Sequence, residues 1–243
     1  MTPPLFLLSP DVLASVGVGD VVVLDGDEGR HAADVRRLRP GEPIDVGDGC
    51  GVVVRGEVAD VARGRLTVTV HERLAVPRHE PRFVVVQALA KGGRDEDAVE
   101  AMTEVGVDEI VGWQASRSVA KWTDRTAGRW RSTARAATKQ SRSGWVPVVV
   151  GPLSTNEVAE RLRDAALGLV LHESATQSLA SVEPCDTGDV VVVVGPEGGI
   201  AEDELDAFRA AGAHVCRLGD TVLRSSTAGV AALSVLSAKT RWR

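Results

Sequence analysis

Apolar positions fall into two regimes along the chain. Over residues 1–72 they come as short β-branched runs at 21–25, 43–46, 51–58 and 65–71, separated by turns such as Asp25-Gly26-Asp27 and Gly47-Asp48-Gly49. β-Branched side chains favour pleated backbone and Gly/Asp favour tight reversals, so this part reads as closely spaced strands of a small β-barrel. One short helix is expected at 28–38. Residues 74–81, with Pro77 and Pro81 and little periodicity, read as a linker.

From Phe83 the pattern changes. The run 83–89 is almost wholly apolar, as in a strand covered on both faces, and similar runs recur at 109–113, 146–150, 167–171 and 190–194. Helical stretches are expected at 95–105, 123–142, 156–166, 202–211 and 226–239. Alternating strands and helices imply a parallel α/β sheet. The expected domains are therefore a β-barrel over 1–73 and an α/β domain over 82–243.

Composition narrows the class. The 243 residues are 44% hydrophobic and 26% charged, which excludes a chain disordered throughout. Cys50, Cys185 and Cys216 are far apart without a CxxC spacing, which argues against a disulfide framework or a zinc site and for reduced thiols in the cytoplasm. The five histidines form neither HxH nor HxxxH, so no metal is expected. The opening residues have no basic segment before their short apolar run, and no run approaches the roughly 20 residues of a membrane-spanning helix, so neither a signal peptide nor a membrane partner is expected.

A net charge of −6, only 3% aromatic residues and no tyrosine do not advertise a nucleic-acid protein. The distribution of charge changes that picture. Residues 117–142 hold eight basic side chains and one acid, Asp124, with Lys121, Arg125 and Arg129 spaced by four, as are Arg131, Arg135 and Lys139. Such rows share a helix face and lack the usual acidic partners, which makes them candidates for binding an anion rather than a solvated surface. Arg30, Arg36, Arg37 and Arg39 form a second cluster. Trp122, Trp130 and Trp145 lie in or beside the larger patch, where core packing and base stacking both remain open.

The most informative segment is the strand 190–194 running into Gly195-Pro196-Glu197-Gly198-Gly199-Ile200 and then the acidic stretch Ala201-Glu202-Asp203-Glu204. At the carboxyl end of a parallel strand such a turn is a ligand site, and its glycines admit a close backbone approach. It carries neither the Gly-Lys-Ser/Thr of a phosphate loop nor GxGxxG. A second glycine turn follows in Leu218-Gly219-Asp220-Thr221-Val222-Leu223-Arg224-Ser225-Ser226-Thr227-Ala228.

This pair of glycine turns resembles the C-terminal half of the SPOUT methyltransferases, and within them the RsmE family, which methylates N3 of a uridine in 16S rRNA of the small ribosomal subunit. The resemblance extends to the segments 31–41, 88–94, 103–107, 116–119, 140–142 and 171–173. It implies a trefoil knot in the α/β domain, a PUA-like N-terminal barrel, S-adenosylmethionine as cofactor and a homodimer. Cofactor candidates are Leu171, His172, Gly195, Glu197, Gly198, Gly199, Ile200, Leu218, Gly219, Leu223, Ser225 and Ala228. Arg224 is the candidate for stabilising charge on the uracil carbonyls, and Glu197 a candidate base or loop anchor. RNA candidates are Arg30, His31, Arg36, Arg37, Arg117, Arg135, Lys139 and Arg142. The chain departs from the family pattern at Arg36, Ala101 and Ser226, the last standing where a Glu is usual near the expected site. A 2′-O-ribose methyltransferase and an inactive RNA-binding homologue are the alternatives.

Overall fold

The structure is a computed structural model describing residues 2–242. It contains two compact units. One runs to Arg78 and also takes in Thr138–Val146, and the other comprises His79–Ala137 and the described residues from Pro147 onward.

The first unit is built on β1 (Leu5–Leu7), α1 (Pro10–Leu13), β2 (Val21–Leu24), α2 (Gly26–Arg30), β3 (Pro43–Gly47), β4 (Val52–Ala62) and β5 (Arg65–Ala75). The strand order is β1-β3-β4-β5-β2, antiparallel except for the parallel pair β1–β3. The edge strands β1 and β2 are not hydrogen-bonded to each other, so the expected barrel is an open sheet in its ladders. It still wraps one core, because Phe6 of β1 and Val22 and Leu24 of β2 are buried in the same cluster as Ile44, Val54 and Val68. β5 continues through Leu74 and Ala75, which pair with Val53 and Val52, so the first two residues of the expected linker satisfy their backbone groups in the sheet. The helix expected at 28–38 starts earlier, as α2, and then widens into a π-type turn, His31–Val35, closed by the Arg36 N–H donating to the His31 carbonyl. Arg37, at φ 55°, ends it.

Seven parallel strands form the second unit: β6 (Arg82–Ala88), β7 (Glu109–Trp113), β8 (Val148–Leu153), β9 (Leu167–Leu171), β10 (Gln177–Ser178), β11 (Asp189–Val194) and β12 (His214–Arg217). Their order is β10-β12-β9-β11-β6-β7-β8. The helices are α3 (Arg94–Glu104), α4 (Asp124–Ser141), α5 (Thr155–Asp164), α6 (Glu202–Ala210) and α7 (Ser225–Lys239). The last residues of α4, from Thr138, count with the first unit.

Central β11 explains why its sequence is an unbroken valine run. Val190, Val192 and Val194 pack with Met102, Trp130 and Leu233 from α3, α4 and α7 on one face, while Val191 and Val193 pack with Val158, Leu205 and Phe208 from α5 and α6 on the other. Strand side chains alternate faces, so a strand covered on both sides must be apolar at every position. The order of the strands places the carboxyl ends of β9, β11 and β12 next to one another.

Candidate active site

A cavity of about 380 Å³ opens where β9, β11 and β12 end. Its wall comes from Leu171 and His172 at the end of β9, the turn Gly195–Ile200 after β11, Leu218–Arg224 after β12, and the first turn of α7. Ligand cavities of a few hundred Å³ at the carboxyl edge of a parallel sheet suit a small organic molecule. The sequence-predicted cofactor residues all meet on this wall except Gly198.

Two glycines are required by shape. A Cβ on Gly195 would sit 2.7 Å from Ile200 Cγ1, so any side chain there would force the turn open. Gly199 has φ +75°, which L-residues rarely adopt. Gly198 lies off the wall because it faces Arg117, whose Nη1 donates to the Gly198 carbonyl at 3.1 Å and to that of Ile200 at 3.5 Å.

Glu197 is held rather than free. Its Oε1 accepts from the Lys91 backbone N–H at 3.3 Å and from Arg94 Nη1 at 3.4 Å, tying the Gly195–Ile200 turn to the connection between β6 and α3. Arg94 itself lines the cavity, as do Glu173, Arg217, Thr221 and Val222, none of which was singled out from sequence as a site residue. Arg94 lies in the segment 88–94 already matched to the family, so that signal was available.

The ionic pattern singles out Arg224. Of the wall arginines, Arg94 pairs with Glu197 and Arg217 with Asp220 at 3.0 Å, whereas Arg224 has no carboxylate partner among the described residues. It is exposed and occupies the N-cap of α7, where its carbonyl accepts from the Thr227 and Ala228 N–H groups. Ser225 follows, 7% exposed, and its Oγ is buried without a hydrogen-bond partner among the described residues. No acid stands in the first turn of α7, so this helix start adds positive potential at the cavity. Ser226 is not itself on the wall: helical spacing sends Ser225 and Ala228 to the cavity face and turns Ser226, their neighbour, aside.

His172 Nδ1 accepts from the Ser174 N–H at 3.3 Å and lies 2.8 Å from Ser174 Oγ. A lone pair on Nδ1 leaves the proton of the neutral ring on Nε2, making His172 a donor.

The RNA candidates separate into two groups. Arg36, Arg37 and Arg142 are exposed and make no ion pair among the described residues, although the Arg142 charge acts on the Asp45 carboxylate; Arg37 and Arg142 are also the described non-glycine residues with positive φ, 55° and 60°. Arg30 is exposed but bonded to Asp27 at 2.9 Å, and Arg135 is half-buried on α4. Arg117 is engaged with the glycine turn, as described. Lys139 is engaged within the first unit: its Nζ is 2.7 Å from Glu28 Oε2 in a largely buried pair, 3.4 Å from His31 Nδ1 and 5.5 Å from the Phe6 ring. Burial first, then the Lys139 charge, lowers the His31 pKa, with the Glu28 carboxylate opposing.

The three tryptophans in or beside the basic row pack against the protein. Trp130 is fully buried with Nε1 donating to Asp95 Oδ2 at 3.1 Å, Trp122 packs edge-on to it at 5.0 Å, and Trp145 lies beneath the Arg78 guanidinium while donating to the Val76 carbonyl. Among the described residues no group of three or more His, Cys, Asp or Glu is placed to hold a metal ion, and no helix is long and apolar enough to cross a membrane.

Comparison with known proteins agrees with this architecture. A family profile described as an RNA methyltransferase domain matches residues 78–237, and one described as an RNA methyltransferase PUA domain matches residues 24–70. A PUA unit joined to a parallel α/β unit with a glycine-walled cavity at its carboxyl edge thus defines the class, an RNA methyltransferase. The ribosomal RNA small subunit methyltransferase E of Mycobacterium tuberculosis is 47% identical over 233 residues, covering 92% of this chain and 89% of the relative, and that of Bacillus subtilis is 29% identical, covering 89% and 90%. This chain belongs to the ribosomal RNA small subunit methyltransferase E family. The crystal structure of the Neisseria gonorrhoeae member bound to S-adenosyl methionine superposes with a TM-score of 0.87 over 98% of each chain at 24% identity, which establishes the shared fold.

Proposed function

We propose that this protein transfers a methyl group from S-adenosylmethionine to N3 of a uridine in 16S rRNA, acting in the cytoplasm as a homodimer with its cofactor site in a trefoil knot. The observation that carries the reading is the cavity itself: two glycine turns and a strand end close round a space of about 380 Å³, lined by Leu171, Ile200, Leu218 and Leu223 and by backbone amides and carbonyls. Such a wall suits an adenine ring with its polar edge, because backbone groups can pair with the edge while the apolar side chains cover the faces. When bound, S-adenosylmethionine supplies a methyl group already activated on a sulfonium.

The protein's own task is then to orient the acceptor and make loss of the imide proton easier. Arg224 and the N-terminus of α7, which has no side-chain cap, put positive potential on the cavity, where they would lower the energy of a uracil anion whose charge lies on its carbonyl oxygens. The nitrogen lone pair forms the new N–CH3 bond, the C–S electron pair stays on sulfur, and the proton leaves to solvent or to a nearby acceptor. Glu197 is disfavoured as that acceptor by its bonds to Arg94 and Lys91. RNA is assigned to Arg36, Arg37 and Arg142, which have exposed guanidinium groups.

The test is incubation with labelled S-adenosylmethionine and small ribosomal subunits, or 16S rRNA, from cells lacking the modification, followed by mapping of the labelled nucleotide. Label at a uridine N3 supports the proposal. Label on a ribose 2′-oxygen replaces it with the other chemistry, and cofactor binding that is absent while RNA binding persists makes this an inactive homologue.

A further inference from the structure

Glu204 is a carboxylate only 4% exposed, and the reaction above gives it no part. Its bonds show where it acts. Oε1 accepts from the Ser116 N–H at 2.8 Å and from Thr155 Oγ1 at 2.9 Å, while Oε2 accepts from the Ala201 N–H at 3.1 Å. The next residue after Ser116 is Arg117, whose Nη1 reaches the Gly198 and Ile200 carbonyls. Two side chains therefore join the turn after β7 to the same four-residue stretch, Gly198 to Ala201, one acting on its carbonyls and the other on its amide.

We propose that Arg117 and Glu204 are positioning residues that clasp the Gly195–Ile200 turn in its ligand-binding shape, and that Arg117 is a brace for the cofactor wall rather than a contact to RNA. The turn needs such help. Gly195, Gly198 and Gly199 carry little conformational preference of their own, so an unbraced turn would sample many shapes and ligand binding would have to order it. Ile200, 5% exposed and on the cavity wall, is the side chain whose placement the clasp sets directly. Charged partners strengthen these bonds: the Glu204 carboxylate sits at the amide end of α6, and a guanidinium serves the two carbonyls. Glu197 performs the matching task on the other side of the turn, through Lys91 and Arg94.

The inference rests on reading the cavity as the cofactor site, and the experiment separates the two. Calorimetry with S-adenosylmethionine alone, and a separate binding assay with a 16S rRNA fragment, are run on wild type, Arg117→Ala and Arg117→Lys. Arg117→Ala is expected to weaken S-adenosylmethionine by about tenfold, Arg117→Lys to recover part of it, and RNA affinity to stay within about twofold, as fits the loss of one charge-assisted bond set on the cofactor side. Unchanged cofactor affinity together with weakened RNA binding would overturn the brace and return Arg117 to the RNA surface. If wild type itself fails to bind S-adenosylmethionine, the cofactor reading is what fails. Hydrogen exchange of the Gly199 to Ala201 amides then still decides: faster exchange in Arg117→Ala supports the clasp, and equal exchange overturns it. Glu204→Gln, which keeps an acceptor for one side of the bond set, should shift the same amides without unfolding the chain.

Discussion

Lys139 Nζ lies 2.7 Å from Glu28 Oε2, with the two side chains only 17% and 16% exposed. A lysine that sequence spacing placed in a basic row is thus built into the interior of the first unit, beside His31 and Phe6. Breaking such a pair by one partner leaves the other charge desolvated, so Lys139→Met should destabilise this unit by about 3 kcal/mol, and the double variant with Glu28→Gln should recover part of the loss. Denaturant unfolding of both proteins measures it. An RNA affinity that falls tenfold in Lys139→Met with stability intact would restore Lys139 as an RNA contact.

The same neighbourhood sets a pH dependence. His31 is shifted below the ordinary histidine value, so the folded state binds fewer protons than the unfolded one through that range. Its contribution to stability is complete above about pH 6.5 and is lost as pH falls through the lower folded value. In an NMR titration the His31 ring should move toward the ordinary value in Lys139→Met, because a neighbouring positive charge has gone; movement further down contradicts the assignment.

Arg37 and Arg142 each hold a backbone conformation that costs an L-residue about 1–2 kcal/mol. Replacement by glycine should therefore leave stability unchanged or improved, while removing an exposed charge from the proposed RNA surface. A filter-binding series over salt concentration should show a lower affinity and a slope shallower by about one unit for each variant. Equal affinity and slope in both would remove these arginines from the interface.

Glu197→Gln separates anchor from base. The amide keeps an oxygen for the Lys91 N–H, so methyl transfer should fall by less than about tenfold with an unaltered pH–rate profile, and the change should appear in KM for S-adenosylmethionine. Loss of several orders of magnitude in kcat would make Glu197 the proton acceptor.

Ser225→Ala removes a buried hydroxyl that has no hydrogen-bond partner among the described residues. Its stability should equal or exceed wild type by up to about 1 kcal/mol, since no bond is lost and a desolvated polar group disappears. Cofactor affinity or methyl transfer should fall if the hydroxyl serves a ligand in the cavity. Unchanged binding and turnover would confine Ser225 to the helix start.

Thiol chemistry follows burial. Cys50 is exposed, whereas burial pushes the Cys216 thiol up to about 11. Alkylation at pH 8 followed by peptide mass spectrometry should modify Cys50 in the folded protein and spare Cys216 until the chain unfolds.

Much of the second unit was legible before folding, because its strands are covered on both faces and therefore carry signals that do not depend on distant residues. The valine run of β11 announces burial by itself, and the glycine turn after it announces a close approach. Both glycine turns could be read as ligand walls for the same reason. Short elements without local signals escaped: the three-residue β1 and the four-residue α1, and β12, whose sequence His-Val-Cys-Arg has no run long enough to mark it. These exist because the sheet offers them partners, β3 for β1 and β9 for β12.

Side-chain assignments divide along the same line. The sequence by itself determined which backbone turns form the cavity and that arginines concentrate in two stretches, since glycine, β-branching and charge act locally. Only the tertiary structure decided what each charge faces. Arg117 meets carbonyls eighty-one and eighty-three residues away, Lys139 meets a carboxylate one hundred and eleven residues away, and Arg224 meets no carboxylate among the described residues. Charges act over a few ångströms of space and are indifferent to distance along the chain, so Arg117 and Lys139, which look alike in one basic run, meet different partners, and Arg224 in the second glycine turn faces the cavity.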